Sequence, residues 1–155
     1  METCEEKQLL LDKRYIRMAQ IWAENSYCSR RKVGALIVKD KMIISDGYNG
    51  TPAGFENVCE DENGLTKPYV LHAEANAIIS AKREEMIGST LYLVGKFFET
   101  GELVPDAMCC SMCKRQVINA GIEKVVIRNT HDDYTIVSVE DWIENDESLE
   151  GKLGY

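Results

Sequence analysis

Three of the six cysteines crowd into five positions, as Cys109, Cys110 and Cys113, and Cys110-Ser-Met-Cys113 sits where a stretch of helical composition begins. Earlier in the chain, by 38 residues, His72-Ala-Glu74 stands at the head of another helix-forming stretch. A Cys-x-x-Cys at a helix N-terminus puts both sulfurs on one face, and the helix dipole favours the thiolates that a metal needs. One His and two Cys fill three of the four tetrahedral positions that zinc takes and leave the fourth to water, the arrangement of a catalytic site rather than a structural one. The fold must therefore bring together two helix N-termini that are far apart in sequence.

The chain has 155 residues, the length of one domain, and a globule of this size buries roughly two-thirds of its unfolded surface. With 45% apolar residues, 28% charged residues and three prolines, the composition excludes disordered, collagen-like and low-complexity classes. Its 18 basic against 26 acidic side chains give a net charge of −8, which opposes capture of nucleic acid or an anionic membrane. No apolar run approaches the roughly 20 residues of a membrane span, and Met1 to Lys13 is acidic and mixed rather than a targeting signal. We therefore expect a cytoplasmic, single-domain protein over residues 1–155, whose cysteines are thiols or metal ligands rather than a disulfide framework.

Periodicity places a first amphipathic helix over Lys7 to Asn25, with apolar residues at Leu10, Leu11, Tyr15, Met18, Ala19, Ile21 and Trp22. Val33–Val38 and Lys41–Gly47 read as a hairpin turning at Lys39-Asp40. Tyr48 to Pro68 is a long loop, and Ala73 to Glu85 reads as one helix without a breaker until Gly88. A strand at Thr90–Val94 runs on into a protruding hairpin around 95–107. A helix from Ser111 stops at Ala120-Gly121, and a strand follows at Lys124–Arg128. Five residues, Asn129 to Asp133, separate it from Thr135–Val139, too few for a crossover, so the last two strands are expected to be antiparallel. Ser138 or Glu140 caps a short helix near Trp142, and a loose tail follows Asn145. Strands interleaved with helices define an α/β fold, a three-layer α/β/α sandwich around a mixed five-stranded sheet.

Glu74, two residues from His72, shares the pocket yet is poorly placed to bind the same ion, which makes it the natural proton carrier. Zinc lowers the pKa of its water to about 7, so a neighbouring carboxylate can take the proton, hand it to a ring nitrogen and later protonate a leaving amine. That chemistry is hydrolytic deamination. A Cys-x-x-Cys alone would equally suit a redox pair; the His-x-Glu on an earlier helix is what selects zinc.

His72-Ala-Glu74-Ala-Asn-Ala-Ile together with Cys110-Ser-Met-Cys113 resembles the cytidine deaminase-like zinc superfamily. Gly47-Tyr-Asn-Gly50-Thr-Pro52, Arg31-Lys-Val-Gly-Ala35 and Asn119-Ala-Gly-Ile122 are similar to the deoxycytidylate (dCMP) deaminase branch, and the likeness spans roughly residues 14–128. The resemblance implies that His72, Cys110 and Cys113 hold zinc and that Glu74 shuttles protons. It implies that Asn49 hydrogen-bonds the sugar, that the Ala73 N–H meets the pyrimidine carbonyl, and that Tyr134 stacks on the base. For Asn49 the competing role is a turn residue, and for Tyr134 it is plain packing. A pyrimidine nucleotide substrate, a homo-oligomer and a deoxynucleoside triphosphate effector acting near Gly47–Pro52 are further implications. The expected activity is conversion of dCMP to dUMP; deamination of another cytosine nucleoside or nucleotide, and a non-catalytic zinc module, are the alternatives.

Cys109 departs from the family pattern, which has proline there, and is read as a spectator because neighbouring side chains point different ways. Cys28 and Cys59 match positions of a second metal in some relatives. No histidine completes such a set, so two buried free thiols are expected. Arg30, Arg31 and Lys32 could contact a phosphate or form a solvated face.

Overall fold

The computed structural model describes residues 3–105 and 107–146. Helix α1 (Cys4–Trp22) opens on a capping box, in which Thr3 Oγ1 accepts from the Glu6 N–H and the Glu6 carboxylate accepts from the Thr3 N–H. A 3-10 turn, Ala23–Asn25, ends this segment close to the expected boundary. Strands β1 (Arg31–Lys39) and β2 (Met42–Tyr48) form the expected hairpin, but it turns at Asp40-Lys41, one residue later than predicted. Both turn residues are left-handed, with φ of 50° and 64°, the conformation a two-residue hairpin needs to match strand twist.

The helix predicted over Ala73 to Glu85 is two: α2 (Ala73–Ile79) and α3 (Arg83–Met86). The break follows from Ser80, whose hydroxyl donates back to the Asn76 carbonyl at 3.0 Å, and from Lys82, which is extended at φ −86° and ψ 138°. Strand β3 (Thr90–Phe97) extends beyond the predicted end, and the chain returns alongside it, with Val104 N–H donating to Gly95 O and Lys96 bridging Leu103. Helix α4 (Ser111–Ala120) ends at Gly121, where φ of 83° is the left-handed cap. Strands β4 (Lys124–Arg128) and β5 (Tyr134–Ser138) lead into α5 (Val139–Asn145). The tail expected to be loose lies, from residue 147 on, outside the described residues.

The five strands form one sheet in the order β2-β1-β3-β4-β5. Only β3 and β4 are parallel, and β4 and β5 are antiparallel as their short link requires. Alternation along the strands builds a core on each face. Leu36, Val38, Tyr92, Val94 and Val126 pack with Ile16 and Ala19 of α1. Ala35, Ile37, Leu91, Leu93, Val125 and Ile127 pack with α2, α4 and Trp142 of α5. The result is the expected mixed α/β/α sandwich.

Two glycines set how closely the helices approach. A Cβ at Gly34 would overlap the Ala19 carbonyl and lie 2.6 Å from Ala23 N, at the end of α1. One at Gly47 would overlap the Ala73 carbonyl and lie 2.6 Å from Ala77 N, within α2. Gly47 thus seats the first turn of α2 on β2. Among the described residues no helix is long and apolar enough to cross a membrane.

Candidate zinc centre and substrate cavity

His72 is the N-cap of α2 and Cys110 the N-cap of α4, so the two metal-ligand motifs both leave the ends of helices, as the sequence required. The Cys110 sulfur accepts from the Cys113 N–H at 3.5 Å, which turns both sulfurs toward His72. The His72 Nδ1 lies 3.2 Å from Cys113 Sγ and 3.5 Å from Cys110 Sγ, and all three donor atoms lie within 4.8 Å of one another. A tetrahedral zinc with its usual bond lengths has nitrogen–sulfur edges of about 3.6 Å, so this donor set fits the ion. Cys109 falls outside the cluster, with its thiol buried near Glu74.

Glu74 is 5% exposed, in the first turn of α2, close enough for its carboxylate to act on the Cys113 thiol. Burial first, and then the Glu74 carboxylate, push the thiols of Cys113 and Cys109 far above their ordinary range. Thiolates at this place therefore need a cation, and zinc is the one that the donor set suits.

His72, Glu74 and Cys110 open on a cavity of about 380 Å³ lined also by Arg30, Arg31, Asn49, Ala73 and Glu60. Asn49 reaches it, but its amide is already engaged: Oδ1 accepts from Val33 N–H and Nδ2 donates to Arg31 O, both at 2.8 Å. The side chain clamps the start of β1, which leaves one lone pair and one N–H for any ligand. Tyr134 is not brought here; its ring lies in a different cavity, 5.8 Å from the Arg128 guanidinium, because β5 is the strand farthest from β2.

Cys28 and Cys59, expected as free thiols, form a disulfide. Their Cα atoms are 5.1 Å apart because the long loop folds back on the lead-in to β1, where Glu60 accepts from the N–H groups of Ser29 and Arg30. Glu60 was not singled out by its sequence context; its acidic side chain in a loop carries no signal of the two N–H groups it binds.

An α/β/α sandwich in which two helix N-termini deliver a His-Cys-Cys set beside a buried glutamate defines the zinc-dependent class of deaminases. The model of the cytidine and deoxycytidylate deaminase zinc-binding region matches residues 10–129, and the chain belongs to that family. It is 33% identical over 129 residues to a deoxycytidylate deaminase of Mycobacterium phage D29, covering 74% of this chain and 91% of that one. It is 29% identical to the deoxycytidylate deaminase of Schizosaccharomyces pombe over 77% of this chain, and spans 37% of that longer protein. Among solved structures, the dCMP deaminase of cyanophage S-TIM5 in complex with dCMP and dUMP superposes with a TM-score of 0.63 at 32% identity, covering 97% of this chain and 93% of that one.

Proposed function

We infer that this chain converts dCMP and water to dUMP and ammonia. The observation that carries the reading is the buried Glu74 carboxylate beside the His72, Cys110 and Cys113 donors, at a cavity large enough for a nucleotide. The likeness to a solved deaminase holding dCMP and dUMP supports the choice of substrate.

Zinc held by His72, Cys110 and Cys113 would supply the Lewis acidity that makes water a nucleophile near neutral pH. Glu74 does the proton work. It accepts a proton from water as the C4–O bond forms and passes it to ring nitrogen N3; it then takes the proton of the new C4 hydroxyl and gives it to the amine as the C4–N bond breaks and C4=O forms. The Ala73 N–H, in the first turn of α2 and so without an intrahelical acceptor, suits the pyrimidine carbonyl. Asn49 holds the β1 lead-in and offers its remaining N–H to the sugar, and the guanidinium groups of Arg30 and Arg31 suit a 5′-phosphate.

The same reading carries three further proposals: a homo-oligomer, consistent with side chains such as Ile79 at 73% exposure; a deoxynucleoside triphosphate effector acting through Gly47–Pro52; and a cytoplasmic location. Sedimentation with and without such a triphosphate tests the first two together.

Ammonia release from dCMP, deoxycytidine, cytidine and dCTP at equal concentration tests the substrate. We expect kcat/KM for dCMP to exceed that for deoxycytidine at least about tenfold, and Arg30→Ala to collapse that margin through KM. A free nucleoside or dCTP as the better substrate would overturn the nucleotide assignment while leaving the chemistry. No turnover of any of the four by fully zinc-loaded protein would favour a non-catalytic module.

A further inference from the structure

A second cavity, of about 450 Å³, lies on the α1 face of the sheet, lined by Leu10, Lys13, Arg17, Arg128, His131, Asp132 and Tyr134. It shares no lining residue with the cavity that holds the zinc ligands. Its charge is opposite in sign to the net charge of the chain. Three permanent cations face one carboxylate, in a chain whose net charge is −8.

Arg128 is the unusual member. It ends β4 at 3% exposure, and its Nε donates to Thr130 O at 3.2 Å. One terminal nitrogen donates to Gln20 Oε1 at 2.6 Å, and the other to His131 O at 2.7 Å and toward His131 Nδ1 at 3.1 Å. Every one of these acceptors is neutral. A buried charge is ordinarily compensated by an opposite one, and among the described residues no carboxylate pairs with this guanidinium. The hydrogen bonds fix its position without neutralising it.

The surrounding groups extend the same pattern. Lys13 and Arg17 lie one turn apart on α1 as like charges, a pairing that is unfavourable on a helix. Neither has an ion-pair partner among the described residues. Because His131 Nδ1 accepts from Arg128, the proton of the neutral ring sits on Nε2, which leaves that N–H as a further donor. Tyr134, fixed by its hydroxyl to His131 O at 3.3 Å, adds an aromatic wall.

We propose that this cavity is a binding site for a small phosphate-bearing ligand, held by Lys13 and Arg17 over the buried Arg128. Several phosphate oxygens match several converging N–H donors, and charge-assisted bonds of this kind are the strong ones. The size of this open cleft and the net charge of −8 select a small molecule over a nucleic acid, whose backbone an acidic chain repels.

Isothermal titration of the full-length protein with inorganic tripolyphosphate, and in parallel with adenosine triphosphate, tests this. Lys13 and Arg17 are exposed, so the Lys13→Ala/Arg17→Ala double variant keeps the fold, which the far-ultraviolet spectrum and Tm check. We expect saturable binding to the wild type, weakened at least about tenfold in the double variant and changed less than about twofold by Arg30→Ala in the substrate cavity. Tighter binding of adenosine triphosphate than of tripolyphosphate would assign the ligand as a nucleotide stacked on Tyr134; equal binding would assign it as the phosphate chain alone, and either result supports the site. The proposal is overturned if the wild type shows no saturable binding, if the double variant binds within about twofold of it, or if Arg30→Ala alone abolishes binding.

Discussion

Replacing Gly47 by alanine separates the seating of the catalytic helix from the stability of the fold. The added Cβ would overlap the Ala73 carbonyl and lie 2.6 Å from Ala77 N, where ordinary contact begins near 3.4 Å. Backbone atoms cannot swing aside, so the first turn of α2 must retreat from β2 by roughly 1 Å, at an overpacking cost of about 1–3 kcal/mol. That turn carries Glu74 and begins at His72. A misplacement of about 1 Å at a reacting group can cost about 10²-fold in rate. We therefore expect Gly47→Ala to lose about 10²-fold in kcat for dCMP while still folding. Gly34→Ala is the control, because its Cβ would collide with Ala19 and Ala23 at the end of α1, on the opposite face of the sheet. It should lose comparable stability with kcat nearly unchanged. Ammonia release, urea denaturation and zinc content on both variants decide the matter. If Gly47→Ala kept kcat within threefold, or Gly34→Ala lost as much as Gly47→Ala, the link between this helix contact and catalysis would be refuted.

Tyr92→Phe removes the hydroxyl that donates to the buried Asp12 carboxylate at 2.5 Å, and should cost about 2 kcal/mol in denaturation at pH 7. Burial first, then Asp12, raise the Tyr92 pKa above its ordinary 10.0, so the unfolded chain loses this proton before the folded one and wild-type stability falls above about pH 10; the gap to Tyr92→Phe should narrow there. Lys41→Gly relieves a left-handed φ of 64° in the β1–β2 turn and should raise stability by about 1 kcal/mol, read from the urea midpoint. Removing zinc with a chelator should abolish deamination and return about two protons per chain to the Cys110 and Cys113 sulfurs, measured with a pH indicator in weak buffer; uptake of none would mean that these sulfurs are not the ligands.

Much of this was legible in the sequence because it depended on local chemistry. Gly121 ends α4 where a left-handed residue is needed, and five residues between β4 and β5 allow only an antiparallel return. His72 and Cys110 announce themselves by residue type at helix starts. What escaped depends on long-range geometry. Ser80 has adequate helical propensity, and its bond back to Asn76 O, which helps end α2, has no compositional signature. The Cys28–Cys59 bond depends on the path of the chain between them, a sequence separation of 31 that takes in the whole β1–β2 hairpin. Asn49 was readable as a polar group near the site, but not as a clamp on Val33 and Arg31 across the β1–β2 pair. Tyr134 follows the sheet order, and a strand at the far edge carries its first residue away from the zinc ligands.

The central claim, that Glu74 carries the proton in a zinc-dependent deamination of dCMP, is tested most directly by Glu74→Gln, which keeps the size of the side chain and removes its basicity. Ammonia release from dCMP should fall by at least about 10²-fold, with zinc content and Tm held at wild-type values. Turnover within threefold of wild type, at full zinc occupancy, would contradict the account.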